Sequence, residues 1–123
     1  MAHLNDYERG LIVGVLVSGG SFGGDGKQPQ VTLRMHVRHE SLLHWLAGRV
    51  AGSRVYGPYQ HGGRSYAQWM VRGRALVDEL LPLLEGEINP QLDGHAAVRL
   101  QAMTERYATF IRRERERLND VAG

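Results

Sequence analysis

The feature of this sequence that most limits its fold is an apolar run near the N-terminus, residues 11–17, which ends at Gly19 and Gly20. Asn5 or Asp6 can cap a helix that contains this run, and two adjacent glycines would end the helix. Because the run is apolar on every side of a helix, we expect the helix to be buried on most sides. Any fold of this chain must therefore surround its first helix with apolar partners.

Small residues recur every four positions along this helix, at Gly10, Gly14 and Ser18. Residues four apart lie on one side of a helix, so a second backbone could approach closely there. The spacing alone leaves two interpretations open. The segment is either an ordinary core helix that tolerates its glycines, or a helix that packs against its own copy across a two-fold axis.

The length and composition favour one compact domain over residues 1–123. The chain is 42% hydrophobic, enough for one modest core, and no segment resembles a linker between two domains. The absence of cysteine excludes disulfides and thiolate metal sites. The longest apolar run is too short to cross a bilayer, so we expect a soluble cytoplasmic protein without a membrane partner, associated with the nucleoid if it is bacterial.

Hydrophobic periodicity divides the remaining sequence into strands and helices. It predicts strands over residues 21–27, 31–38, 54–60 and 65–72, and helices over residues 40–50, 74–85 and about 95–119. Residues 61–64 are typical of a hairpin turn, and Pro58 indicates an edge strand or a bulge. The predicted order is helix, strand, strand, helix, strand, strand, helix, helix.

The second predicted strand alternates strictly between apolar and polar residues. Its apolar side carries Val31, Leu33, Met35 and Val37, and its polar side carries Thr32, Arg34, His36 and Arg38. Side chains on one face of a strand are about 7 Å apart, which suits successive phosphates or base edges. A solvated face usually mixes Glu, Lys and Thr, but this one has no acid.

The third and fourth predicted strands repeat this composition. We expect Val55 and Tyr59 to point inward on the third strand. The outward side chains of the two strands are again polar and free of acids: Arg54, Tyr56, Gln60, Tyr66, Gln68, Met70 and Arg72.

The charge of the chain is distributed unusually among residue types. The net charge is only +2, but Lys27 is the single lysine among fifteen basic residues. Arginine forms two parallel hydrogen bonds to guanine edges and phosphates, so this bias fits a polyanionic partner. A genome rich in G and C would produce the same bias. The positions of the arginines must therefore decide whether the bias reflects a polyanionic partner.

Residues 12–22, with the sequence IVGVLVSGGSF, resemble the signature helix of the LAGLIDADG homing endonucleases. Residues 34–46 resemble the second strand and following helix of that family, residues 55–59 its tyrosine-bearing third strand, and residues 80–84 the stretch before its last helix. These segments cover most of residues 7–102. The resemblance implies an α+β fold, a single αββαββα domain with a four-stranded antiparallel saddle sheet, here with an extra C-terminal helix over about 95–119.

The resemblance also implies a partner and an assembly. In that family the sheet lies in the DNA major groove, and a chain with one signature helix forms a homodimer through it. Double-stranded DNA with a pseudo-palindromic site is therefore the implied partner. The implied DNA-binding residues are Lys27, Thr32, Arg34, His36, Arg38, Arg54, Tyr56, Gln60, Arg64, Tyr66, Gln68 and Arg72. The implied dimer interface comprises Gly10, Val13, Gly14, Val17 and Ser18.

The resemblance does not extend to the catalytic positions. Val17 and Gly19 stand where the family carries acids, and the second of those acids holds the metal that cuts DNA. Hydrolysis with a metal needs a carboxylate to hold the cation, which Gly19 lacks. Glu85 and Glu87 stand near the place of a family lysine. We therefore expect no catalytic residue, metal or cofactor, and predict an inactive DNA-binding regulator of transcription.

Two alternatives stay open: an active homing endonuclease that uses another acid such as Asp25, and a protein-interaction module that has lost DNA binding.

Overall fold

The computed structural model describes residues 3–122, so residues 1, 2 and 123 of the predicted single domain lie outside the described part. Its elements in chain order are α1 (Asp6–Gly19), β1 (Gly20–Gly24), β2 (Pro29–His36), α2 (Glu40–Arg49), β3 (Arg54–His61), β4 (Arg64–Arg72), α3 (Gly73–Ala75), α4 (Leu81–Glu87), α5 (Gly94–Arg106) and α6 (Ala108–Ala122). A 3-10 turn, Val37–His39, precedes α2, and a π-helical turn, Leu76–Leu80, joins α3 to α4. The predicted α+β class and the order of elements are confirmed.

Helix α1 begins at a capping box. The Asn5 side chain accepts a hydrogen bond from the Glu8 amide, and the Glu8 carboxylate accepts one from the Asn5 amide. Only Ile12 and Leu16 of α1 are fully buried, and Gly14 is exposed. The prediction that α1 is buried on most sides is therefore wrong for a single chain, because the rest of the chain covers only one side of the helix.

The sheet is antiparallel with the strand order β1-β2-β4-β3. Leu33 pairs with Trp69 and Val31 with Val71, and these four side chains are at most 2% exposed. They form one core with side chains of α1, α2, the π-helical turn, α4, α5 and α6. The helices therefore cover one face of the sheet, which we call the inner face.

Two predicted strands end earlier in the structure, and side-chain hydrogen bonds explain why. After β1, the Asp25 carboxylate accepts hydrogen bonds from the amides of Lys27 and Gln28 and turns the chain. After β2, Nδ1 of His36 accepts a hydrogen bond from the Arg38 amide and starts the 3-10 turn. Lys27 and Arg38 therefore lie beyond the strands on which they were predicted.

Strand β3 lies at the sheet edge and is irregular around Pro58, as predicted. Its register with β4 shifts between Tyr56 and Tyr59, so the side chains beyond the shift change faces. Tyr59 then pairs with Tyr66 and is 44% exposed, and the prediction that it points inward is wrong. Gln60 pairs with Ser65 and lies on the opposite face from the one predicted.

The predicted last helix is divided into α5 and α6 by a bend at Tyr107. The Tyr107 amide donates to the Met103 carbonyl, and the Ile111 amide donates to the Tyr107 carbonyl, so hydrogen bonding continues on both sides. Tyr107 is 4% exposed, and its hydroxyl accepts a hydrogen bond from the Gly26 amide at 2.9 Å. The bend thus brings the start of α6 beside the β1–β2 turn.

Within residues 3–122, none of the helices combines the length and apolarity needed to cross a membrane.

Candidate nucleic-acid interface

The sheet face that the helices leave uncovered carries most of the polar side chains predicted from the sequence. We call it the outer face. Cross-strand pairs place residues of all four strands side by side on it, such as Ser21 with Thr32, Arg34 with Gln68 and Gln68 with Tyr56. The outer face comprises Ser21, Gln30, Thr32, Arg34, His36, Arg54, Tyr56, Tyr59, His61, Arg64, Tyr66, Gln68, Met70 and Arg72.

Contacts across the strands fix the side chain of Arg34 near the middle of this face. Its guanidinium lies 4.7 Å from the ring centre of Tyr66 and donates to Oε1 of Gln68 at 3.5 Å. The Tyr66 ring in turn packs on Tyr59, with 5.4 Å between the ring centres. Arg34 and Gln68 are therefore held next to each other, with polar groups available to a ligand above the sheet.

The outer face is positive because the acids of the chain lie elsewhere. None of the four strands contains an aspartate or glutamate. Six of the helical arginines have acidic partners, as in the pairs Arg9–Glu87 and Arg115–Glu85. Within residues 3–122, the four strand arginines form no ion pair with an acid: Arg34, Arg54, Arg64 and Arg72. The net charge of the chain is small because the helices contain both acids and arginines, whereas the sheet contains arginines and no acid.

Three of the predicted DNA-binding residues lie off the outer face. Lys27 is in the β1–β2 turn, Arg38 is in the 3-10 turn, and Gln60 is beyond the β3 bulge. Arg38 stays close to the outer face because its Nε donates to Nδ1 of His36 at 3.2 Å. Tyr59 belongs to the outer face, although the sequence pattern predicted that it points inward. The register shift at the bulge cannot be predicted from local alternation.

The predicted dimer residues lie along the uncovered side of α1. A Cβ atom placed on Gly10 or Gly14 would meet nothing within 4 Å. Beside them, Val13 and Val17 line an open groove of about 300 Å³ together with the loop between α4 and α5, where Leu92 is 86% exposed. This groove is an apolar surface that the single chain leaves open.

The end of α1 is occupied by an arginine that the sequence did not indicate. Arg99 of α5 donates to the carbonyls of Gly20 at 2.6 Å and Val17 at 3.0 Å, and its guanidinium lies 5.0 Å from the Phe22 ring centre. It neutralises the negative end of α1, whose last turn has no basic residue of its own. No local pattern could reveal Arg99, because its partners are 79 and 82 residues away.

Gly19 lies between these two carbonyls, at the position where the resemblance implies an acid. A Cβ atom on Gly19 would lie 3.2 Å from Cδ1 of Leu33, so even a small side chain would be tight. Asp25 lies at the far end of β1, roughly 15 Å along the strand by the usual rise per residue. Hydrogen bonds from the amides of Gln28 and Lys27 lower the pKa of the Asp25 carboxyl. This carboxylate is therefore committed to the turn and distant from the end of α1.

No family model matches the sequence, and no curated protein is significantly similar to it. Similar solved structures include the group I intron-encoded homing endonuclease I-CeuI complexed with DNA, at 14% identity and a TM-score of 0.59 over 98% of this chain. A mutant of I-SmaMI is 12% identical with a TM-score of 0.58 over 94% of this chain. The homing endonuclease I-CvuI, in complex with its target and in the presence of Ca, is 13% identical with a TM-score of 0.57 over 84%.

The chain spans 59%, 45% and 69% of the lengths of these three neighbours. At such low identity the likeness concerns the fold alone. The two-layer arrangement of helices on a β1-β2-β4-β3 sheet, together with these neighbours, shows that the chain has the fold of the LAGLIDADG homing endonucleases.

Proposed function

We propose that this chain binds double-stranded DNA as a homodimer, with the outer face in the major groove, and regulates transcription by occupying a pseudo-palindromic site without cutting it. The observation that carries the proposal is an outer face with four unpaired arginines and no acid, on a fold whose solved neighbours include complexes with DNA. A surface that carries several like charges and no acid of its own is stabilised by a polyanion.

The chemistry of the outer face suits the reading of base edges. Arginine pairs with the O6 and N7 atoms of guanine, and glutamine pairs with the N6 and N7 atoms of adenine. Arg34 and Gln68 lie side by side on neighbouring strands, so they could contact adjacent base pairs. Arg54, Arg64 and Arg72 lie towards the ends of their strands, where phosphates of the groove walls would be reached.

Two features support the homodimer and the lack of cutting. The open, small-residue side of α1 allows a second copy of α1 to pack closely. At the end of α1, Gly19 offers no metal ligand, and the Arg99 guanidinium already occupies the carbonyls on either side of it. A cation brought there would be repelled by Arg99.

Selection of bound sequences from random duplex DNA tests the proposal most directly. We expect a palindrome to be enriched, and its affinity to fall about 10³-fold or more between 50 and 200 mM salt, because many phosphates are neutralised.

Arg34→Ala should weaken specific binding by about 1–3 kcal/mol. The control Arg112→Ala removes the same charge from the exposed side of α6 and should leave binding unchanged. Enrichment of no sequence would favour a protein-interaction module instead.

The alternative of an active nuclease has its own test. The selected site is placed in a supercoiled plasmid and incubated with the protein and Mg²⁺. We expect no nicking. Cutting that Asp25→Asn abolishes would establish an endonuclease with an unusual acid and overturn the inactive assignment, while the DNA-binding proposal would stand.

A further inference from the structure

Three cationic side chains from distant parts of the chain line one open pocket of about 240 Å³. Lys27 comes from the β1–β2 turn, Arg106 from the end of α5 and Arg113 from α6. Gly26, Tyr107, Thr109 and Phe110 complete the lining, so among the described residues no carboxylate lines this basic pocket. Its composition is that of an anion-binding site.

The other arginines of α6 are paired with acids, which sets Arg113 apart. Arg112 lies 3.9 Å from Glu116, and Arg117 lies 2.9 Å from Asp78. Within the described part of the chain, Arg113 and Arg106 form no ion pair, and the Arg106 guanidinium instead lies 5.1 Å from the Tyr107 ring centre. The alternating Arg and Glu of α6 are therefore not a uniform charged surface, because the acids neutralise all but the side that faces the pocket.

The basic pocket has a rigid base. The Tyr107 hydroxyl accepts a hydrogen bond from the Gly26 amide, which ties the bend between α5 and α6 to the β1–β2 turn. The Asp25 carboxylate holds the Lys27 amide from the other side. At Gly24 a Cβ atom would lie 2.2 Å from the Tyr107 hydroxyl, so this contact requires glycine. The three cations are thus presented from a fixed turn and two packed helices.

The position of the pocket extends the outer face. The turn that carries Lys27 joins β1 to β2 at the end of the sheet where Gln30 pairs with Arg72. Arg72 is close enough to Asp25 to contribute to lowering the pKa of its carboxyl. The basic pocket therefore lies at this end of the sheet, where the β1–β2 turn meets the helical layer.

We propose that Lys27, Arg106 and Arg113 bind a backbone phosphate of duplex DNA outside the sheet, so that the C-terminal helices belong to the DNA interface. This inference rests on the proposed function. Three cations around one small pocket match the several oxygens of a phosphate, whereas a base edge would need planar, directional partners. The contact anchors the duplex and carries no sequence preference.

The test compares two double variants with the same change in charge. Arg106→Gln with Arg113→Gln removes the pocket cations, and Arg112→Gln with Arg115→Gln removes two arginines that are paired with acids. Binding of the selected duplex is measured across a salt series. The pocket variant should bind about 10-fold more weakly at low salt, and the slope of log affinity against log salt should become shallower by about 1–2. The control variant should match the wild type.

Two further measurements separate the possible outcomes. Lys27→Gln removes one charge and should also make the slope shallower by about 1. The turn should be kept in this variant, because the hydrogen bond from the backbone amide of residue 27 to Asp25 remains. Shortening the duplex at its ends should abolish the difference between the wild type and the pocket variant. If the wild type binds the duplex but the pocket variant behaves like the control, the inference is wrong and the proposed function stands. If the wild type binds no duplex, both are wrong.

Discussion

Arg99 is the residue that links the C-terminal part of the chain to the end of α1. Its two hydrogen bonds join a charged donor to backbone carbonyls, and such bonds contribute about 1.5–3 kcal/mol each when they are well formed. The guanidinium also covers the Phe22 ring. One side chain therefore stabilises the end of α1 and holds it against α5 and β1.

Replacing Arg99 with Ala should lower the free energy of unfolding by about 3 kcal/mol or more, because two carbonyls each lose a charged donor. Urea unfolding monitored by circular dichroism measures this. Arg112→Ala is the control, since Arg112 is 67% exposed and makes only a long ion pair, and it should change the free energy by less than about 0.5 kcal/mol. Equal effects of the two substitutions would show that Arg99 has no capping role.

At the scale of elements, the start of α1 is tied to α2 by Glu8. Its carboxylate accepts hydrogen bonds from the Asn5 amide and from Nε of Arg49. The pKa of Glu8 lies below its ordinary value, first because of the hydrogen bond with the Asn5 backbone and then because of Arg49. A carboxyl group whose pKa is lowered by folding stabilises the folded state only while it is ionised.

This predicts how stability depends on pH. Above the ordinary pKa of a glutamate, about 4.5, the wild type should be more stable than Glu8→Gln, which keeps the capping hydrogen bond but loses the charge. The difference should shrink as the pH falls through the lowered pKa of Glu8. Thermal unfolding from pH 7 to pH 2 measures it. The control Glu105→Gln, on the exposed side of α5, should show no such trend, and a constant difference at all pH values would contradict the prediction.

At the scale of the whole molecule, the two layers divide the surface by charge and by polarity. The outer face is positive, many arginines of the helical layer are paired with acids, and one side of α1 stays apolar and uncovered. A homodimer built on α1 would bring two outer faces into one continuous surface. The assembly and the DNA-binding proposal are therefore linked.

Gly14→Gln tests that link. A side chain at Gly14 meets no neighbour in the single chain, so the fold should be kept, and the loss of a helical glycine should stabilise the helix by about 0.5–1 kcal/mol. In the dimer the same side chain would separate the paired helices. Sedimentation equilibrium should show a monomer, and affinity for the palindrome should fall about 100-fold or more.

The matched control is Gly48→Gln on α2. Gly48 is also helical and exposed, and a Cβ atom there also meets nothing within 4 Å. This variant should stay dimeric and bind DNA like the wild type. If both variants are dimeric and bind equally, the interface lies elsewhere on the molecule.

The sequence by itself determined the features that depend on neighbouring residues. The alternation from Val31 to His36 places Arg34 on the outer face and Leu33 in the core, because side chains of a strand alternate between faces. The Asn5 cap, the end of α1 and the edge position of β3 follow from local chemistry in the same way. The resemblance over residues 12–22 added the expected fold.

Only the tertiary structure decided which distant side chains meet. The bulge at Pro58 reverses the faces of Tyr59 and Gln60, since its register depends on the partner strand. Arg99 reaches carbonyls about 80 residues away, and the choice of an acidic partner separates Arg112 from Arg113 although they are adjacent in sequence. Local periodicity in the sequence predicts which side of a helix or strand is apolar. What lies opposite a charged side chain is a property of the packed chain, and here that packing separates the arginines available to a ligand from those already neutralised.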